Sequence, residues 1–242
     1  MDLGGPTANM YGYECKKKLK KGACPDKRCL FPTICTSLIP DHSHQIHLIK
    51  KIEALPRVKK VFINSGIRYD LILKDKKHGQ AYLEKLTRDN VSGQMKVAPE
   101  HTGKKILSLM GKQGIDDLLE FKEAFDRLSS EFHKKQFLTY YLIAAHPGCT
   151  LGDMTDLKKF TSEKLKTNPE QVQIFTPTPS TFSTLMYYTG IDPFTREKIF
   201  VEKNPQARER QKQVITSRPS KYRQNKSKPF KKKNHPLKDS YK

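Results

Sequence analysis

Phe137-Leu138-Thr139-Tyr140-Tyr141-Leu142-Ile143-Ala144-Ala145 is a near-continuous apolar run, closed by His146-Pro147-Gly148. Its β-branched and aromatic content and its length suit a strand better than a helix. A run of this kind reads as a strand buried on both faces, which is the habit of parallel sheets. The turn that closes it places His146 and Cys149 just beyond the strand's carboxyl end.

Working outward, the same pattern recurs. Upstream, Leu118, Phe121, Phe125, Leu128 and Phe132 follow spacings of three and four, one apolar stripe of a helix. Asp116 and Asp117 open it, where the helix dipole favours carboxylates. Before it come a short strand, Gly93 to Ala98, ended by Pro99, and a helical piece from Lys104 to Met110. Gln80 to Arg88 reads as a helix, and Tyr69 to Leu73 as a short apolar run. Val58 to Ile63 reads as a strand that stops at Asn64-Ser65-Gly66, and Ser43 to Leu55 as a helix ended by Pro56. Downstream follow a helix over Leu151 to Leu165, a strand over Val172 to Phe175 and helices near Phe182–Tyr188 and Ala207–Ile215. Strands alternating with helices predict parallel βαβ units. Four strands cannot close an eight-stranded barrel, so a partial parallel (β/α) barrel over residues 41–216 is the expected fold, with a free strand edge near Val58–Ile63.

The two ends differ from this body. Residues 1–40 are rich in Cys, Gly, Pro and Lys and look like a loop-built segment. Residues 217–242 carry ten Lys or Arg against one acidic residue, a large share of the net charge of +21. They read as a basic, disordered tail. Such a tail suits a polyanion, RNA or a ribosome, or simply keeps the chain soluble. No apolar run approaches the ~18 residues of a membrane span, and the first residues lack the layout of a signal peptide. A cytoplasmic, reducing setting is the expectation, in which clustered thiols suggest metal chemistry rather than disulfides.

Cys15, Cys24, Cys29 and Cys35 form that cluster, spaced C-x8-C-x4-C-x5-C. The spacing matches no standard zinc or ferredoxin pattern, so the density of thiols is the signal. Soft thiolates would take Zn²⁺ or an iron–sulfur cluster; the alternative is free structural thiols. A zinc-stabilised interaction module over residues 15–35 is one reading.

The strand ends form the second constellation. Ser65 and Arg68 follow the first strand, Lys96, Glu100 and His101 surround the end of the second, His146 and Cys149 follow the third, and Thr176, Thr178, Ser180 and Thr181 follow the fourth. Parallel strands would bring these groups to one mouth. Taken singly, each is more commonly a turn residue or a small buried hydrophobe.

Several strings carry a resemblance. Gly4-Gly5-Pro6-Thr7-Ala8-Asn9-Met10-Tyr11-Gly12, Ser65-Gly66-Ile67-Arg68-Tyr69-Asp70, Val97-Ala98-Pro99-Glu100-His101-Thr102 and the cysteine cluster are similar to the YgiQ-like radical S-adenosylmethionine (SAM) family. The resemblance covers roughly residues 2 to 216. It implies a radical SAM barrel and an iron–sulfur protein that cleaves SAM reductively to a 5′-deoxyadenosyl radical. It implies a [4Fe–4S] cluster on a C-x3-C-x2-C loop, with Ser65 and Arg68 contacting SAM and Glu100 and His101 beside them. No C-x3-C-x2-C occurs in this sequence. The chain is therefore expected to be a C-terminal part of such a protein, inactive alone and partnered by the missing N-terminal half. Cys15, Cys24, Cys29 and Cys35 are left for an auxiliary cluster or zinc.

Overall fold

The computed structural model describes residues 3–5, 7–24 and 28–217. The expected basic tail therefore lies, apart from Ser217, outside the described residues. The chain forms α1 (Lys16–Lys21), α2 (Ser43–Glu53), α3 (Tyr69–Lys74) and α4 (Gly79–Lys85), then β1 (Gln94–Glu100), α5 (Lys104–Leu109) and α6 (Asp116–Glu131). There follow β2 (Phe137–Ala144), α7 (Leu151–Glu163), β3 (Val172–Ile174), α8 (Phe182–Thr189) and α9 (Pro205–Thr216).

The three strands make one parallel sheet, β1-β2-β3, which does not close on itself. Val97 stands opposite Tyr140, and Leu142 opposite Val172. The alternation expected of parallel βαβ units is thus present.

The strand expected over Val58–Ile63 is not a regular one. Residues 61–67 run beside β1 but meet it at a single parallel bridge, Ile67 with Val97. Ile63 N–H reaches Asn90 O at 2.9 Å and Ile67 N–H reaches Lys96 O at 2.9 Å. The Asn64-Ser65-Gly66 turn between those bonds takes up chain without advancing along β1, and this breaks the ladder. Nor is this edge free. Leu3 N–H donates to Phe62 O and Ala8 N–H to Gly66 O, so Leu3 and Ala8 lie along it.

Burial on both strand faces is also overturned. Leu138, Tyr140, Leu142 and Ala144 are buried, whereas Thr139, Tyr141 and Ile143 are half-buried and Phe137 is exposed. β1 alternates likewise, with Met95 and Val97 buried and Lys96, Ala98 and Glu100 half-buried. The helices explain the asymmetry. The core joins Met95, Val97, Leu138 and Leu142 to Ile106 of α5, Phe121 and Phe125 of α6, and Met154 and Leu157 of α7. The opposite face keeps Lys96, Thr139, Tyr141 and Ile143, all half-buried. The α6 stripe is as read: Leu118, Phe121 and Phe125 are fully buried.

Candidate functional site

Parallel pairing puts the carboxyl ends of residues 61–67, β1 and β2 at one rim. β1 ends at a bulge between Val97 and Glu100, and Glu100 is left-handed, at φ 65°. Ala145, directly after β2, is left-handed as well, at φ 56°. Non-glycine residues adopt this conformation at a strain of order 1–3 kcal/mol, commonly at functional sites. The rim carries two.

Glu100 turns to Lys112, with Nζ–Oε1 at 2.9 Å, and the same ammonium donates to Ala98 O at 2.7 Å. Burial pushes the Lys112 ammonium below its ordinary value, and the Glu100 charge pulls it back up. Arg68 lies alongside. Its Nε donates to Asp70 Oδ1 at 2.8 Å and its NH2 closes a second bond to Oδ2. Burial opposes the Arg68 charge, but the Asp70 bonds outweigh it and raise the guanidinium's pKa. One edge of the arginine fork is therefore already taken by a carboxylate. A cavity of about 10 Å³, lined by Arg68, Tyr69, Asp70, Ala98, Lys112 and Gln113, lies between these groups. That volume holds roughly one water.

His101 and His146 are buried behind this rim. Gly103 N–H donates to His101 Nδ1 at 2.9 Å, so neutral His101 carries its proton on Nε2, 3.7 Å from Cys149 Sγ. His146 has the other tautomer. Its Nδ1–H donates to Pro147 O at 2.8 Å, and Nε2 accepts from the Ser183 hydroxyl at 2.8 Å. Burial lowers both imidazoles to about 4. Burial, with Asp153 nearby, pushes the Cys149 thiol up to about 12. Cys149 is a packed thiol, not a thiolate nucleophile.

Ser65 sits at the same strand end, but its Oγ accepts Gly5 N–H at 3.0 Å. A side chain at Gly4 would stand 2.4 Å from that oxygen, so Gly4 allows the close approach. Thr178, Thr181 and Thr184 bond to one another, and the Thr181 hydroxyl caps α8. The rim thus brings Arg68 and Glu100 together through Lys112, and His101 to Cys149. Ser65 is spent on the chain's own first residues.

Sequence reasoning missed four contributors. Lys112 and Asp70 hold the rim charges. Asn9 clasps the Arg68 backbone, its Nδ2 donating to Arg68 O at 2.9 Å and its Oδ1 accepting Arg68 N–H at 2.8 Å. Gln211 of α9 accepts Ala145 N–H at 3.0 Å and donates to Cys149 O at 3.2 Å, so one buried side chain pins both ends of the turn after β2. Only Asp70 lay close enough in sequence to its partner to be guessed.

Cys15 and Cys24 are partly exposed, and Cys29 and Cys35 exposed. Among the described residues, no group of three or more His, Cys, Asp or Glu side chains is placed to hold a metal ion. Among them, also, no helix is long and apolar enough to cross a membrane.

The molecule is thus an α/β protein with an open parallel sheet and a charged, strained rim at its strand ends. A family model described as a domain of unknown function (DUF3362) matches residues 170–232. A UPF0313 protein of Fusobacterium nucleatum is 61% identical over 217 residues, 90% of this chain and 38% of the relative. UPF0313 proteins of Clostridium perfringens and Methanosarcina acetivorans are each 43% identical over 88% of this chain, which is 32% and 28% of their own lengths. The chain belongs to the UPF0313 proteins, the YgiQ-like family, and spans about a third of the length of the curated relatives it matches.

Proposed function

We propose that this chain supplies one wall of the SAM site of a radical SAM enzyme, its sheet being the later part of a partial (β/α) barrel. The observation that carries this is the rim itself. Arg68 and Glu100 stand at the carboxyl ends of adjacent parallel segments, and Lys112, in the loop after α5, pairs with Glu100. Beside them a polar, half-exposed sheet face carries Lys96, Thr139 and Tyr141. Ligands of α/β folds bind at such ends.

The residues fit SAM only in part. Arg68 suits a carboxylate and Glu100 an amino group, each after exchanging its present partner. A cavity of about 10 Å³ does not admit a nucleoside, so the opposite wall has to come from elsewhere. The [4Fe–4S] cluster does not fit this chain, since no C-x3-C-x2-C is present, and no step through it is assigned to these residues. Their work is to bind and orient. Asp70 holds the guanidinium, and Lys112 holds the carboxylate that it would release to a ligand amine.

The test is equilibrium dialysis of labelled SAM against this chain, against the remaining portion of the Fusobacterium nucleatum relative, and against both together. Binding is expected only with both, and Arg68→Ala in this chain should weaken it about tenfold or more. Tight binding by this chain alone, or no response to Arg68→Ala, would remove the reading.

A further inference from the structure

Exposed apolar surface is gathered in one place. Twelve large apolar side chains are exposed among the described residues, and six of the twelve lie within residues 182–200. Phe182, Leu185 and Tyr188 stand three residues apart on one face of α8, and of that helix only Met186 is buried. A turn folded back beside the helix brings the rest. Ile191 bridges Lys198 in antiparallel fashion, Ile199 N–H donates to Gly190 O at 2.9 Å, and the Phe182 and Phe194 rings meet at 4.7 Å. Gly148 N–H donates to Phe200 O at 2.7 Å, and Ser183 of α8 bonds His146, so the patch adjoins the turn after β2. Tyr188 is 68% exposed and Phe200 47%. Six side chains, each roughly half exposed, leave on the order of 500 Å² of apolar surface in water. A patch of that size marks an interaction site.

What covers it is argued from its rings and from charge. Four of the six side chains are aromatic, and cations stand among them. The Arg28 guanidinium lies 3.7 Å above Phe194, and Lys203 Nζ and the Arg208 guanidinium each lie 5.8 Å from the Tyr187 ring. Arg196 and Lys198 are exposed. Over residues 182–208 four Lys or Arg stand against three acidic residues, so the rings and not local charge set this surface apart. Two of those carboxylates are engaged by backbone: Asp192 Oδ1 accepts Phe194 N–H at 2.9 Å and Glu202 Oε1 accepts Asn204 N–H at 3.0 Å. The whole chain carries +21, which opposes a second copy on this face and favours a polyanion. Ten of its cations follow in residues 217–242. A polyanion that also offers flat apolar faces is a nucleic acid whose bases are unstacked.

We propose that α8 and the turn after it form a stacking platform for single-stranded nucleic acid. Bases lie on the Phe182, Tyr188 and Phe200 rings, and phosphates pair with Arg196, Lys198 and Lys203. A duplex keeps its base faces stacked and cannot use the rings. Residues 217–242 add attraction for phosphates in either form of the strand.

The test is fluorescence anisotropy of the full chain with a labelled RNA of about twelve nucleotides, offered single-stranded and as its duplex. The single strand is expected to bind about tenfold or more tightly than the duplex. Tyr188→Ala and Phe200→Ala should each weaken the single strand about tenfold and leave duplex affinity unchanged. Neither should alter the salt slope, since stacking releases no counterions, and Tyr188→Phe should keep full affinity. Both side chains are exposed, so these variants should fold, which circular dichroism checks. Equal affinity for strand and duplex, indifferent to Tyr188→Ala, would leave charge alone as the binder and overturn the inference. Self-association of the chain that Tyr188→Ala abolishes would overturn it too, because the face would then seat a second copy. SAM enters none of these measurements, so their failure is separate from that of the proposed function.

Discussion

At the scale of single residues, the rim is stiffened by buried polar groups whose partners lie far off in sequence. Asn9 satisfies both the N–H and the C=O of Arg68 and donates to His42 Nε2 at 3.1 Å. That donation settles the tautomer: Nε2 accepts, so Nδ1–H donates to Asp75. Asn9→Ala leaves these buried groups unpaired, and unfolding in urea should show a loss of about 1–3 kcal/mol. A loss near zero would mean that water replaces the amide. The buried imidazoles make a second prediction. His101 and His146 titrate near 4 in the folded chain against 6.5 when unfolded. Above about pH 6.5 both states are neutral, and stability is unaffected by these groups. Below it the unfolded chain takes up protons that the folded chain refuses until about pH 4. Stability therefore falls across that window, by up to about 1.4 kcal/mol per histidine per pH unit. Urea midpoints at pH 7.5, 6 and 5 should decline in that order. His101→Gln should flatten part of the decline, and a flat series would show that the imidazoles are solvated.

At the scale of elements, α9 behaves as a clamp. It packs on α7, β2 and β3. Its Gln211 pins the turn after β2, Arg208 NH2 donates to Phe175 O after β3, and Lys158 of α7 holds the Ile215 carbonyl at 2.7 Å. Gln211→Leu fits the space but leaves Ala145 N–H and Cys149 C=O unpaired. It should cost about 1–3 kcal/mol and speed amide exchange at residues 145–149, with α6 unchanged as the control. Uniform exchange over both would mean that the clamp is not local. None of this was legible beforehand, since Gln211 stands 62 residues from Cys149 and glutamine has no periodic signature. What was legible is what periodicity carries. β2, the α6 stripe and the alternation of strand with helix follow from local apolar spacing, and with them the placing of Arg68 and Glu100 at neighbouring strand ends. The irregularity of residues 61–67 was not, because β-branched content reports a pleat but not whether a turn lets the ladder run. One-sided burial of β2 was not either. Tyr141 and Ile143 read as apolar, yet whether a helix covers them is decided by tertiary packing.

At the scale of the whole molecule, the helices that close the core lie on one sheet face, and the other keeps a half-exposed row of polar and apolar side chains. The chain spans about a third of its relatives' length, and under the proposed function this open face is the one the rest of such a protein would cover. The two faces then answer differently to substitution. Leu142, fully buried, should lose about 2–5 kcal/mol on truncation to alanine. Its neighbour Ile143, half-buried on the open face, should lose only about 1 kcal/mol in this chain by itself. Adding the remaining portion of the Fusobacterium nucleatum relative should change that balance. Docking would bury Ile143, Tyr141 and Thr139 together with the rim. Amide exchange of β1 and β2 should slow, and Ile143→Asn should then weaken association about tenfold or more, since a half-buried apolar contact would become a desolvated amide. Exchange that is unchanged on mixing, or association indifferent to Ile143→Asn, would show that the open face is a solvated surface and not a seat for the rest of the fold.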